Sequence, residues 1–112
     1  MDFHVPEEKL TGYLLNPQHP VGRGKAAFFL ALGFSRQNPE ALTQALVVQA
    51  REAPERAVQP APEGEKLICI GPLATPSGKR PWVVSVWYLE RGKDTARLVT
   101  AYPYRRREDA GR

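Results

Sequence analysis

The sequence predicts an α+β domain, with two or three N-terminal helices packed on a C-terminal antiparallel β-sheet of three to four strands. Three observations support this. Up to Pro54 the apolar residues recur at helical spacing between clear start and stop signals. Beyond Lys66 they fall in short β-branched and aromatic runs. Two turn-forming stretches, "TPSGKR" and "RGKD", separate those runs and favour an antiparallel meander.

The first helix is predicted from Pro6, whose ring suits a helix start and which Glu7 and Glu8 follow. Leu10, Tyr13 and Leu14 form its apolar face, and Asn16-Pro17 ends it. A second helix starts near Val21–Arg23 and runs through Leu32. Gly33 then stands where a left-handed C-terminal cap belongs, with Phe34 as its hydrophobic partner. The third helix has Asn38 as N-cap and Pro39 at the first helical position. Its inward face is Leu42, Ala45, Leu46 and Gln49, and Pro54 stops it. "AVQPAPEGEKLICIGPL" is read as a proline-rich connection followed by a strand near Lys66–Leu73. "PWVVSVWYLE" is apolar on both faces and reads as a central strand, and "TARLVTAYPY" is the last. In that strand, strict alternation sets Leu98, Thr100 and Tyr102 against Arg97, Val99 and Ala101.

A chain of 112 residues fits one domain, read as residues 1–104 with a basic polar tail at 105–112. No apolar run approaches the roughly 20 residues of a membrane span. The acidic start "MDFHVPEEKL" lacks the apolar core of a signal peptide, so a cytoplasmic location is expected. A single cysteine, Cys69, rules out an internal disulfide and is read as a buried structural thiol. The formal charge is +4, with the basic excess in the C-terminal half. That favours an anionic partner. There is no P-loop, no paired carboxylates on one element and no spaced histidine pair. These absences point away from nucleotide-cradling loops, two-metal nucleases and metal centres, and no cofactor is implied.

Two stretches can carry chemistry. In "NPQHPVGRGK", His19, Arg23 and Lys25 crowd a helix start, where backbone N–H groups already favour anions. Cations are poorly placed there on dipole grounds, and a phosphate ligand would relieve that. The competing reading is a rigid turn between helices, with solvated cations. In the last strand the Thr100 and Tyr102 hydroxyls line either a polar site or a half-exposed strand end.

The residues "LLNPQHPVGRGKAAFFLALGF", "ICIGPL", "VVSVWYLE" and "ARLVTAYP" resemble a bacterial domain-of-unknown-function family, number six-eight-eight-three, whose members are sometimes labelled adhesins. The resemblance spans residues 10–104 and implies little about chemistry. More loosely, the helices-then-meander order is similar to the barnase–EndoU–colicin–RelE class of ribonuclease toxins. Many of these end in an "R-x-L-[IV]-T-x-[YF]-P"-like strand, a pattern that Arg97, Thr100 and Tyr102 match. That likeness implies metal-independent RNA cleavage, with His19 or Lys25 facing the strand. The helical "H-x-x-x-H" of many members is absent, so no general base is identified.

Two functions follow from these readings. The first is the ribonuclease toxin of a toxin–antitoxin pair, with RNA and a cognate antitoxin as partners. Its catalytic residues would be His19, Lys25, Arg97, Thr100 and Tyr102, and its substrate-binding cations Arg23, Lys79 and Arg80. The second is a non-catalytic protein- or nucleic-acid-binding module or immunity-type partner. It would use an edge strand, the tail and an aromatic patch around Trp82 or Trp87. Neither calls for a membrane.

Overall fold

The computed structural model describes residues 1–105. The chain opens with a short strand, β1 (Asp2–His4). Helix α1 (Glu7–Lys9) runs on into a wide π-helical turn over Leu10–Leu14. Helices α2 (Arg23–Ala31) and α3 (Pro39–Glu52) follow. Four strands complete the fold: β2 (Glu55–Ala61), β3 (Gly64–Pro72), β4 (Trp82–Glu90) and β5 (Thr95–Pro103). They form one five-stranded sheet in the order β1-β5-β4-β3-β2. The predicted α+β class holds, with one or two strands more than expected.

Both extra strands have physical reasons for escaping a sequence reading. β1 is three residues long, too short to show alternation, and it pairs in parallel with Thr95–Arg97 from the far end of the chain. β2 occupies the stretch read as a proline-rich connection. It lies at the sheet edge, where Pro60 takes part without disrupting a central ladder. The sheet is therefore mixed rather than purely antiparallel.

The helix ends follow local chemistry. After α2, the Phe34 N–H donates to the Phe29 carbonyl and the Gly33 N–H to that of Leu30. Gly33 has φ 98, the left-handed conformation this cap requires. The Phe34 ring meets the Phe29 ring edge-on at 6.3 Å and completes the motif. Asn38 and Pro39 open α3 as expected. The first helix departs from expectation. Leu15 N–H reaches back five residues to the Leu10 carbonyl at 2.7 Å, so the turn widens. Leu14 and Leu15 both become fully buried, and Tyr13 stays half-buried beside them.

All three helical segments contribute to one core against one face of the sheet. That face carries Leu67, Cys69, Val83, Trp87, Leu98 and Ala101. Trp87 is fully buried, so it forms no surface patch, while Trp82 is half-buried. Burial pushes the Cys69 thiol up, which keeps it protonated and unreactive. A polar thread runs through this core. The Gln49 side-chain amide donates to the Val83 carbonyl at 2.9 Å and the Cys69 carbonyl at 3.1 Å. Its oxygen accepts from the Ser85 hydroxyl, which accepts in turn from the Trp87 indole N–H. Gln49 thus ties α3 to both β3 and β4.

An irregularity in β5 re-aims the last strand. Leu98 pairs with Trp87, yet Thr100 pairs with Val86, so Val99 is an extra, bulged residue. Residues directly opposite in a sheet share a face. Leu98 and Ala101 therefore join the core side with Trp87 and Ser85. Arg97, Thr100 and Tyr102 join the outer side with Tyr88, Val86 and Val84. The expected grouping of Leu98 with Thr100 and Tyr102 is corrected by this bulge.

Candidate functional site

Among the described residues, no strand lies on the outer edge of β5 beyond Arg97, because β1 pairs only with Thr95–Arg97. There Tyr13 meets Thr100, their hydroxyls 3.2 Å apart. Two ammonium groups flank the Tyr13 ring, Lys25 at 5.3 Å and Lys9 at 5.5 Å from its centre. Lys9 and Tyr13 are neighbours at i,i+4 on the first helical segment, whereas Lys25 comes from the first turn of α2. Among the described residues the one ion pair is Arg51–Asp2, so neither lysine is neutralised by a carboxylate.

The loop before α2 is moulded around the same ring. The His19 imidazole packs edge-on against Tyr13 at 5.0 Å. A Cβ on Gly22 would stand 2.7 Å from the Tyr13 ring, so only glycine allows so close an approach of the loop. His19 Nδ1 accepts the backbone N–H groups of Gly22 at 2.9 Å and Val21 at 3.1 Å. The imidazole therefore orders the start of α2 as an acceptor, which places the ring proton on Nε2. In this arrangement His19 offers a donor rather than a free base.

Tyr13 carries the clearest electrostatic signature. Burial by itself raises its phenol pKa. The approach of Lys25, the Thr100 hydroxyl and the charge of Lys9 outweigh burial, and the net pKa lies below the ordinary tyrosine value. A phenol that ionises more readily than usual, held between two unneutralised cations, is suited to giving up a proton beside an anionic ligand.

The structure brings together His19, Lys25 and Thr100 from the sequence-predicted set, with Tyr13 at their centre. Arg23 is exposed on the first turn of α2. Arg97 shares the outer face with Thr100 and lines a shallow groove with Lys9, Pro6 and Tyr88. Tyr102 stands one same-face step beyond Thr100, and among the described residues no hydrogen bond or ring contact joins it to Tyr13. Lys79 and Arg80 lie in the β3–β4 connection, which docks on the other end of α2 through Ser77 N–H to the Leu32 carbonyl. Tyr13 and Lys9 are absent from the sequence-predicted set, because Tyr13 reads as part of an apolar helix face. The i,i+4 pairing of Lys9 with Tyr13 was the available signal. Among the described residues no three His, Cys, Asp or Glu side chains gather as metal ligands. No helix among them is long and apolar enough to cross a membrane. Arg105 is exposed, and the rest of the basic tail lies outside the described residues.

Helices on one face of a five-stranded sheet, with a cation-flanked phenol at its open edge, define a small α+β domain with a positively charged rim. The chain belongs to the family described as Domain of unknown function (DUF6883), whose model matches residues 2–105. Its fold is similar to that of a chain in a contact-dependent growth inhibition toxin–immunity protein complex from Klebsiella pneumoniae 342. That similarity has a TM-score of 0.70 and 17% identity, over 89% of this chain and 98% of the other. No curated protein matches the sequence.

Proposed function

We propose that the protein is a small endoribonuclease of toxin type, cleaving RNA at the Tyr13–Lys25–Thr100 cluster and held in check by a small cognate protein. The observation that carries this reading is the convergence of Lys9, Lys25 and the Thr100 hydroxyl on one phenol of lowered pKa. The fold likeness to a toxin–immunity complex supports the toxin setting and a protein partner. In the proposed step the ribose 2′-oxygen bonds to the adjacent phosphorus, its proton passing to water. The bond from phosphorus to the 5′-oxygen breaks, and Tyr13 donates its phenolic proton to that leaving oxygen. Lys25 and Lys9 stabilise both the phosphorane and the resulting phenolate. The Thr100 hydroxyl orients the phenol. His19, through Nε2–H, donates a hydrogen bond to a phosphoryl oxygen, and Arg23 and Arg97 supply charge at the rim. The products are a 2′,3′-cyclic phosphate and a 5′-hydroxyl. The step as written uses no metal.

The same complex holds an immunity protein as well as a toxin, so the likeness equally favours a second reading: a non-catalytic immunity-type module. Cleavage of a labelled mixed-sequence RNA in excess EDTA separates the two. The native protein is expected to release cyclic-phosphate ends, and Lys25→Ala to cut at least about 100-fold more slowly with its melting temperature unchanged. Intact RNA with the native protein, or equal cleavage by both proteins, would overturn the nuclease reading and leave the module.

A further inference from the structure

The outer face of the sheet carries a feature that the cluster at Tyr13 does not use. Open sheet faces normally alternate to polar residues. This one instead carries Ile70, Val84 and Tyr102 in one row across β3, β4 and β5, with Val84 itself only 5% exposed between its neighbours. Tyr102 is 38% exposed, the most exposed aromatic side chain of the fold. Trp82 lies diagonally across from it on β4, roughly 7–8 Å away for such a pair. The Trp82 ring leans on Tyr104 at 6.1 Å, and the Tyr104 N–H donates to the Trp82 carbonyl. Three aromatic rings therefore share one end of this face.

Two cations stand nearest those rings, and the Glu52 carboxylate lines a groove with Arg80 and Trp82. Arg80 precedes Trp82 by two residues and Arg105 follows Tyr104, both exposed and neither in an ion pair among the described residues. The acidic residue in the same row is Glu55 on β2, three strands from Tyr102 or roughly 14 Å at normal strand spacing. Thr100 is the same-face neighbour of Tyr102, about 7 Å along the strand.

We infer that Tyr102, backed by Trp82 and Tyr104, is a base-stacking subsite for single-stranded RNA, beside the phosphate site at Tyr13 and Thr100. The inference rests on the ribonuclease reading. It moves Tyr102 from the catalytic set expected from the sequence to substrate binding, and it gives Arg80 the backbone phosphate flanking the stacked base. Exposed ring faces suit any nucleobase, and unneutralised guanidinium groups suit the phosphates between them. A protein partner would instead need the charged rim matched by its own carboxylates.

The test uses a fluorescein-labelled mixed-sequence 2′-O-methyl hexanucleotide, which can bind but cannot be cut by 2′-oxygen attack. Its affinity is read by fluorescence anisotropy, beside cleavage of the ordinary RNA. Tyr102→Ala is expected to weaken binding about tenfold, the loss of one stacked base. Tyr102→Phe keeps the ring and should bind within about twofold of the native protein. Tyr13→Phe, which removes the proposed proton donor, should lose cleavage. Native affinity in Tyr102→Ala, with the native protein cutting RNA, overturns the subsite and spares the nuclease. Tyr102-dependent binding with no cleavage by the native protein overturns the nuclease and keeps an RNA-binding face. A dimer in size-exclusion chromatography that Tyr102→Ala dissociates, with no oligonucleotide bound, assigns the face to a second copy of the chain and overturns the inference.

Discussion

Two polar clusters in this protein use similar groups to opposite ends. Beneath the sheet, Gln49, Ser85 and Trp87 are buried, and each polar atom has a partner. At the edge of β5, Tyr13, His19, Lys25 and Thr100 are partly open, and the two ammonium groups beside them have no carboxylate. Burial requires a polar group to be satisfied, so the inner cluster has no capacity left for a ligand. Solvent allows the rim to keep unneutralised charge, and that surplus can be offered to an anion. A satisfied network marks structure; an unbalanced one is where the site is proposed.

The inner cluster should give the largest stability effect. Gln49→Ala opens a cavity and strands the Ser85 hydroxyl and the strand carbonyls, with an expected loss of about 3 kcal/mol in urea unfolding. RNA cleavage per folded molecule should not change. A loss of activity beyond the folded fraction would break the division between the two clusters. Ser85→Ala is the milder form, at about 1–2 kcal/mol, should Gln49→Ala fail to fold.

At the rim the order reverses. Tyr13→Phe removes one hydroxyl contact, so stability should fall by no more than about 1 kcal/mol, while cleavage drops about 100-fold. Alkaline pH sharpens this. Tyr13 releases its proton below the unfolded tyrosine value of about 10. In the window between the two values the unfolded chain holds more protons, so stability rises with pH there, and the contribution is absent below that window, where both states are protonated. Tyr13→Phe should abolish that rise. The proposed proton donor also predicts an alkaline fall in cleavage over the same window, and a rate that stays flat through it would remove Tyr13 from that role.

The smallest effect separates the two jobs of His19. His19→Ala leaves the Val21 and Gly22 N–H groups without their acceptor and should cost about 1 kcal/mol, as a lost N-cap does. His19→Asn restores an acceptor and should recover most of that stability without restoring the Nε2–H donor. Recovery of cleavage in His19→Asn would make His19 a turn residue alone.

Local features were legible from the residues. Gly33 and Phe34 ended α2 as their types require, and Asn38-Pro39 opened α3. His19, Lys25 and Thr100 were singled out by residue type and neighbourhood, and they do converge. Tyr13, the residue that joins them, was hidden because an aromatic at helical spacing reads as core. The face assignment of Thr100 was missed because a bulge at Val99 shifts the alternation, and nothing in "RLVTAY" announces an extra residue.

By itself the sequence determined the order of the helices and of strands β3 to β5, the caps of α2 and α3, the turns between those strands, and the basic excess, because each depends on residues within a few positions of one another. The tertiary structure alone decided that β1 pairs in parallel with β5, that Glu55–Ala61 becomes an edge strand, and that Tyr13 meets Thr100 across 87 positions of chain. Those outcomes come from packing one core against one sheet face, where distant segments compete for the same edge and neighbours in space are set by burial rather than by spacing.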